Sequence, residues 1–136
     1  MQTFDWTVRV YYEDTDSGGV VYYANYLRFM ERARTEWLRA LGFEQDVLIR
    51  DAGVIFAVRS ASVDYLRPAR FNEQLTVRSS VHSSGRANVV FDQQILRAED
   101  AELLTSGRIK IASLDAETFR PKPMPKDLLE ALSRDI

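Results

Sequence analysis

The strongest periodic pattern in the chain predicts an amphipathic helix from about Ala24 to Leu41. Apolar residues recur there every three or four positions, which places them on one face of a helix. They are Leu27, Met30, Ala33, Trp37 and Leu41. Charged residues occupy the other face, and Gly42 follows where helices commonly end. We therefore expect the apolar face to pack against the rest of the chain.

Alternation of apolar and polar residues predicts five strands around this helix. They are Phe4–Tyr12, Val54–Leu66, Leu75–His82, Val89–Ala98 and Leu103–Leu114. The apolar parity changes within Val54–Leu66, which indicates a β-bulge. Ser83-Ser84-Gly85 has the composition of a hairpin turn, and a short surface helix is expected over Lys126–Leu132. The order of one strand, one long helix and four strands in a meander predicts an α+β fold with one antiparallel sheet on one helix.

Composition limits the functions that the chain can have. Its 136 residues predict a single domain spanning 1–136, and the net charge of −2 gives no basic footprint for nucleic acid. Cysteine is absent and His82 is the only histidine, so thiolate chemistry and a multi-histidine metal site are excluded within one chain. No signal-like or membrane-spanning run is present, which predicts a cytoplasmic protein without membrane insertion. His82 lies on the polar parity of its strand, where a structural role is expected.

The loop Glu13–Gly19 is the stretch most suited to chemistry. It carries Asp14-Thr15-Asp16 and two glycines directly before the predicted helix. A helix start offers backbone N–H groups that lack partners, so a carboxylate and free donors would lie close together. Taken alone, Asp16 is typical of a helix cap or a turn.

The stretch YYEDTDSGGVVYYANYLRFMERARTEWL resembles the opening motif of the 4-hydroxybenzoyl-CoA thioesterase-like branch of the hotdog-fold proteins. It is most similar to the YbgC-type acyl-CoA thioesterases, which are associated with the Tol-Pal system. The similarity extends through FAVRSASVDYLRPAR and the proline-rich tail, and so covers nearly the whole chain. The resemblance implies a hotdog fold, in which a five-stranded antiparallel sheet wraps one long helix.

The resemblance also implies hydrolysis of an acyl thioester of coenzyme A or of an acyl carrier protein. The family's catalytic carboxylate falls on Asp16, and the backbone N–H that polarises the thioester carbonyl falls on Tyr23. Asp16 could act as a general base or as a nucleophile, and the sequence leaves both open. No dissociable cofactor and no metal are implied, because coenzyme A is part of the substrate. A homodimer, often paired into a homotetramer, is the implied assembly.

The chain departs from the family at Tyr23, where many YbgC-type sequences have histidine. A phenol is a poor general base at neutral pH, although the backbone N–H is unaffected by the change. The departure leaves open an alternative function, a module that binds acyl-CoA or acyl carrier protein without hydrolysis. A magnesium-dependent phosphotransferase is disfavoured, because no second acidic cluster and no alternating βαβ pattern follow.

Further residues are candidates for substrate binding. Gly19 and Val20 lie in the loop where a ligand can approach the backbone, and Asn25 lies at the helix start as a supporting residue rather than a catalyst. Arg59, Arg67 and Arg70 have the chemistry to bind the phosphates of coenzyme A, although ordinary surface charge is the simpler interpretation of each.

Overall fold

The computed structural model describes residues 2–134. Its strands are β1 (Phe4–Arg9), β2 (Val54–Tyr65), β3 (Gln74–Gly85), β4 (Asn88–Arg97) and β5 (Leu103–Asp115). Its helices are α1 (Ala24–Ala40), a short α2 (Gln45–Val47) that continues as a π-helical turn, and α3 (Lys126–Ser133). The strands form one antiparallel sheet, and the buried face of α1 packs on it. The predicted α+β class is confirmed.

The order of the strands in the sheet is β1-β3-β4-β5-β2, which differs from the predicted meander. Only β3, β4 and β5 are neighbours both in sequence and in space. β2 pairs with β5, from Val54 opposite Asp115 to Tyr65 opposite Thr105. This pairing is non-local, and alternation within one strand carries no information about its partner. As a result, β1 and β2 are the two edges of the sheet.

Local irregularities of the strands were predicted with mixed success. The bulge in β2 is confirmed, because the register with β5 shifts between Val58 and Ser60. The hairpin turn predicted at Ser83-Ser84-Gly85 is wrong, since Gly85 pairs with Asn88 and the turn falls on residues 86–87. Although their composition is typical of a turn, these three residues belong to β3, because each pairs with a residue of β4. β1 ends at Arg9, before the predicted Tyr12, because the chain enters a 3₁₀ turn at Tyr12–Asp14.

The helix α1 ends close to the predicted position, and Gly42 has a φ of +96°, as expected for a residue that terminates a helix. Its buried face includes the predicted Met30, Ala33 and Trp37. It also includes three apolar residues that the predicted stripe omitted, Tyr26, Phe29 and Leu38. Leu27 was assigned to the core and is instead 38% exposed. It lies on the same side of α1 as Glu31, which faces a groove at the β2 side of the sheet.

The predicted C-terminal helix is present, and it buries Leu128 and Leu132 rather than lying free on the surface.

The packing of α1 on the sheet leaves no room for a side chain at Gly107 in β5. A Cβ atom at this position would lie 3.0 Å from Met30 Cε and 3.3 Å from Val63 Cγ2. Met30 is fully buried, so its terminal methyl group has little free space to move into. The absence of a side chain at residue 107 therefore sets how closely the helix can lie on the strands.

We expect Gly107→Val to lower the free energy of unfolding by about 1–3 kcal/mol, because it overpacks this contact. Ser106→Val is the matched control, since Ser106 is the preceding strand position and points to the opposite face. Denaturant unfolding of both variants measures the difference. In a Met30→Ala background the penalty of Gly107→Val should shrink, and an undiminished penalty would contradict the contact as its cause.

Candidate active site

The acidic loop is folded into a small antiparallel turn that lies beside α1. Thr15 forms a β-bridge with Val21, and the Asp16 N–H donates to the Val20 carbonyl at 2.9 Å. Gly19 closes the turn with a φ of +77°, a left-handed conformation that glycine adopts without strain. The Val21 N–H donates to the Ala69 carbonyl at 2.8 Å, which docks the turn on the segment after β2. The loop is thus held by main-chain hydrogen bonds at both of its arms.

The Asp16 side chain lies at the exposed tip of this turn. Its Oδ1 accepts a hydrogen bond from the Gly18 N–H at 2.8 Å. Within residues 2–134, no group donates a hydrogen bond to its Oδ2. One oxygen therefore fixes the orientation of the carboxylate, and the other is available to a ligand or a water molecule.

The start of α1 presents an unused main-chain donor next to the loop. Tyr22 accepts from the Asn25 N–H at 2.8 Å, and Tyr23 accepts from the Tyr26 N–H at 3.3 Å. The Tyr23 N–H itself has no hydrogen-bond partner in the described part of the chain. It lies at the positive end of the helix dipole, so an oxygen that develops negative charge would be stabilised there.

The loop and the helix start are joined through the backbone of Asp14. Its carbonyl oxygen accepts from the Tyr22 N–H at 2.9 Å and from Asn25 Nδ2 at 2.9 Å. Asn25 is buried, and its side-chain amide donates this hydrogen bond. Asn25 is therefore a structural link between the two segments. Burial raises the pKa of the Tyr26 phenol, and the negative charge of Asp16 contributes to the same shift. The Asp16 carboxylate is therefore within electrostatic range of the first turn of α1.

Four tyrosines form an aromatic wall between the helix start and the end of β2. The Tyr23 ring lies 4.9 Å from the Tyr22 ring and 5.9 Å from that of Tyr65, and Tyr65 lies 5.6 Å from Tyr26. Sequence reasoning did not select Tyr65 as a site residue. The sequence shows that Tyr65 lies at the end of a predicted strand, directly before Leu-Arg-Pro. That position does not indicate which other residues Tyr65 contacts in the fold.

The remaining candidates fall into two groups. Val20 forms a β-bridge with Arg70, so Gly19, Val20 and the Arg70 backbone lie together at the loop. Arg67 is close in sequence, and its Nε lies 3.4 Å from Glu102 Oε1 in an exposed ion pair.

Arg59 lies apart from this group, at the bulge of β2. Arg59 and Tyr65 are six positions apart along the extended strand, which corresponds to roughly 20 Å. The structure therefore does not bring Arg59 to the Asp16 loop of its own chain.

His82 is on the outer face of the sheet, with its Nδ1 3.5 Å from Asp92 Oδ2.

The described residues limit other kinds of site. Residues 2–134 contain no group of three histidine, cysteine or acidic side chains placed to bind a metal ion. None of the helices in this range combines the length and apolar character that crossing a membrane requires.

Comparison with known proteins places this geometry in a family. Residues 10–132 match the family model described as the thioesterase-like superfamily. The acyl-CoA thioesterase YbgC of Haemophilus influenzae is 40% identical over 128 residues, which cover 94% of this chain and 93% of the relative. The acyl-CoA thioester hydrolase YbgC of Escherichia coli O6:H1 is 42% identical over 126 residues, covering 93% and 92% of the two chains.

Solved structures agree with the sequence comparison. Slr0204, a 1,4-dihydroxy-2-naphthoyl-CoA thioesterase from Synechocystis, superposes with a TM-score of 0.89 at 25% identity and covers 96% of each chain. This match confirms the hotdog fold that the resemblance implied. On the family model, the relatives and the shared fold together, the chain belongs to the thioesterase-like superfamily, within its YbgC-type acyl-CoA thioesterase group.

Proposed function

We propose that this protein hydrolyses acyl-CoA thioesters to the free acid and coenzyme A. The observation that carries the proposal is that the Asp14 carbonyl joins the segment bearing the Asp16 carboxylate to the helix start, where the Tyr23 N–H has no partner among the described residues. The names of the YbgC relatives, which are acyl-CoA thioesterases and thioester hydrolases, support the same reaction class. A thioester needs both features, a group that delivers oxygen and a donor that stabilises the oxyanion.

The proposed reaction uses the two groups in succession. The Tyr23 N–H binds the thioester carbonyl oxygen, and Asp16 takes a proton from a water molecule that attacks the carbonyl carbon. The C–S bond then breaks, and the departing thiolate of coenzyme A takes up the proton that Asp16 removed from the water, which regenerates the carboxylate. Direct attack by Asp16 to form a mixed anhydride uses the same geometry. Water then hydrolyses the anhydride to the free acid and regenerates Asp16. Label found in the Asp16 side chain after a single turnover in H₂¹⁸O identifies direct attack, because the general-base route places the label in the product acid alone.

The surroundings of the loop suggest how the substrate is held. Tyr22, Tyr23 and Tyr65 offer aromatic surface beside the Tyr23 N–H, and Gly19 and Val20 offer an approach to the backbone. Arg67 and Arg70 lie on the segment against which this loop docks, and we propose that they bind the phosphates of coenzyme A. The thiol carrier is coenzyme A or an acyl carrier protein, and no dissociable cofactor takes part.

We further propose that the protein works as a homodimer, joined along β2 and able to pair into a tetramer. β2 is a twelve-residue edge strand with one side unpaired in the single chain. In such a dimer, Arg59 of one copy would lie near the junction rather than beside its own Asp16. The cytoplasmic location and the association with the Tol-Pal system stay predictions from the resemblance.

Asp16→Asn should lower thiol release from acyl-CoA by about 10²–10⁴-fold, because the amide cannot act as a base or a nucleophile. The amide oxygen can still accept from the Gly18 N–H, so the loop and the melting temperature should be preserved. Glu13→Gln is the matched control, since Glu13 is an exposed acid of the same loop, and it should retain activity. The measurement is release of free thiol across short, medium, long and aromatic acyl-CoAs.

Two results of this screen would contradict the proposal. Full activity in Asp16→Asn would remove the carboxylate from the mechanism. No thiol release by the native chain, together with a rise in melting temperature on adding acyl-CoA, would identify a binding module instead of a hydrolase.

A pair of substitutions at Tyr23 separates its backbone role from its side chain. Tyr23→Pro should lower turnover by about 10²–10³-fold, since it deletes the oxyanion donor. The φ of Tyr23 is −56°, and the residue lies second in a turn closed by the Asn25 N–H, a position that proline favours. Tyr23→Phe keeps the donor and should leave turnover nearly unchanged. Equal losses in both variants, at equal melting temperature, would assign the role to the phenol.

A further inference from the structure

The second arm of the acidic loop docks on the short segment 66–70, which follows β2. The Val21 N–H donates to the Ala69 carbonyl at 2.8 Å in this contact. Val21 also forms a β-bridge with Thr15, the residue directly before Asp16. The position of Ala69 therefore influences where both arms of the loop lie.

The segment 66–70 is itself anchored to the sheet at its first end. The N–H groups of its first two residues both donate to the Leu104 carbonyl in β5, at 2.8 and 3.1 Å. Pro68 follows and has no N–H group to donate. Ala69 comes next and is fully buried, so its N–H needs an acceptor from within the protein.

The phenol of Tyr26 supplies that acceptor. The Ala69 N–H donates to the Tyr26 hydroxyl oxygen at 3.0 Å, and both groups are buried. Tyr26 lies in the first turn of α1, three residues after Tyr23, and is 3% exposed. Burial raises the pKa of its phenol, while the hydrogen bond from Ala69 acts in the opposite direction. The hydroxyl is therefore neutral at physiological pH and accepts the Ala69 hydrogen through a lone pair.

Ala69 thus links the first turn of α1 to the loop through both of its main-chain groups. Its N–H is held by Tyr26, and its carbonyl holds Val21. The chain from Val21 to Tyr26 passes through Tyr23, so the two hydrogen bonds of Ala69 close this stretch into a ring. Val21 cannot shift relative to the helix start without breaking one of them. The placement of the Thr15 bridge, and with it the loop tip, follows from this ring.

The Tyr26 ring is fixed by packing as well as by its hydroxyl. It lies 5.6 Å from the Tyr65 ring and 6.3 Å from the Phe29 ring. Within residues 2–134, the hydroxyl forms a hydrogen bond with Ala69 alone. Removing only the hydroxyl therefore leaves the aromatic packing in place and deletes one contact of the ring described above.

We propose that Tyr26 is a positioning residue for the hydrolysis: acting through Ala69, it sets where the Asp16 carboxylate lies relative to the Tyr23 N–H. The inference rests on the proposed function, because these two groups must act on one thioester together. A small misplacement of groups that act together lowers turnover strongly. In this role Tyr26 takes up no proton and acts only through the loop.

Tyr26→Phe keeps the ring and leaves the Ala69 N–H without its acceptor. We expect kcat for thiol release to fall by about 10–100-fold, because the two reacting groups lose their relative placement. KM should stay within about twofold of the native value, since the residues proposed to bind the substrate are unchanged. Leu128→Val is the stability control. It shortens a buried side chain of α3, so it should lower the melting temperature and keep the native kcat.

Combining Tyr26→Phe with Asp16→Asn tests whether Tyr26 acts through the loop. If Tyr26 works by placing the carboxylate, adding Tyr26→Phe to Asp16→Asn should cost less than about threefold in kcat. A merely structural role would reduce kcat by the same factor in both backgrounds. That additive result would overturn the inference.

Amide hydrogen exchange of the native state tests the tether without reference to activity. In Tyr26→Phe the Val21 and Ala69 amides should exchange at least about tenfold faster, because the contacts that protect them are lost or weakened. The Leu66 amide donates to the Leu104 carbonyl and is the internal control, so it should exchange at its native rate.

Failure of this inference is distinct from failure of the hydrolase proposal. Native exchange at Val21, or a native kcat in Tyr26→Phe, would overturn the role of Tyr26 and leave the hydrolase standing. Absence of thiol release by the native chain would overturn the hydrolase and, with it, any positioning role of Tyr26 in hydrolysis. Exchange at Val21 would then decide only whether Tyr26 holds the loop.

Discussion

The site depends on one main-chain carbonyl, that of Asp14. This oxygen accepts from the Tyr22 backbone and from the Asn25 side chain, and so ties the acidic loop to the start of α1. Because the tether is made largely by backbone atoms, the loop position does not depend on the charge of Asp16. The side chain of Asp16, the catalytic candidate, therefore has one structural contact among the described residues, its hydrogen bond from the Gly18 N–H. Such a division allows a reactive carboxylate to sit at an exposed turn without holding the turn together.

Features governed by local sequence were predictable, and features governed by pairing were not. The bounds of α1 and the bulge in β2 followed from periodicity and parity, which are properties of a single segment. The pairing of β2 with β5 was missed because it joins residues far apart in sequence, where alternation gives no choice of partner. The exposure of Leu27 was missed for a related reason, since a helical stripe does not show how far the sheet wraps around it.

The site shows the same division. The resemblance selected Asp16 and Tyr23 from a contiguous motif, and the structure places both segments together around Asp14. Tyr65 joins the tyrosine wall from β2 and could not be found from the motif. Arg59 was grouped with Arg67 and Arg70 by chemistry alone, and the extended strand between them separates it from the loop. Residue type selected each candidate as a chemical possibility, and the fold then showed which of them lie on neighbouring segments.

The two edges of the sheet differ in length, and this difference limits how copies of the chain can add to one another. β1 has six residues and β2 has twelve. Two chains that meet along their long edges leave only short β1 edges at the ends of the combined sheet. A further chain would find fewer backbone groups there to hold it, so growth of such a sheet in this direction would be disfavoured after two copies. In the proposed dimer, the unequal edges would thus oppose ribbon-like polymers without any residue being reserved for that purpose.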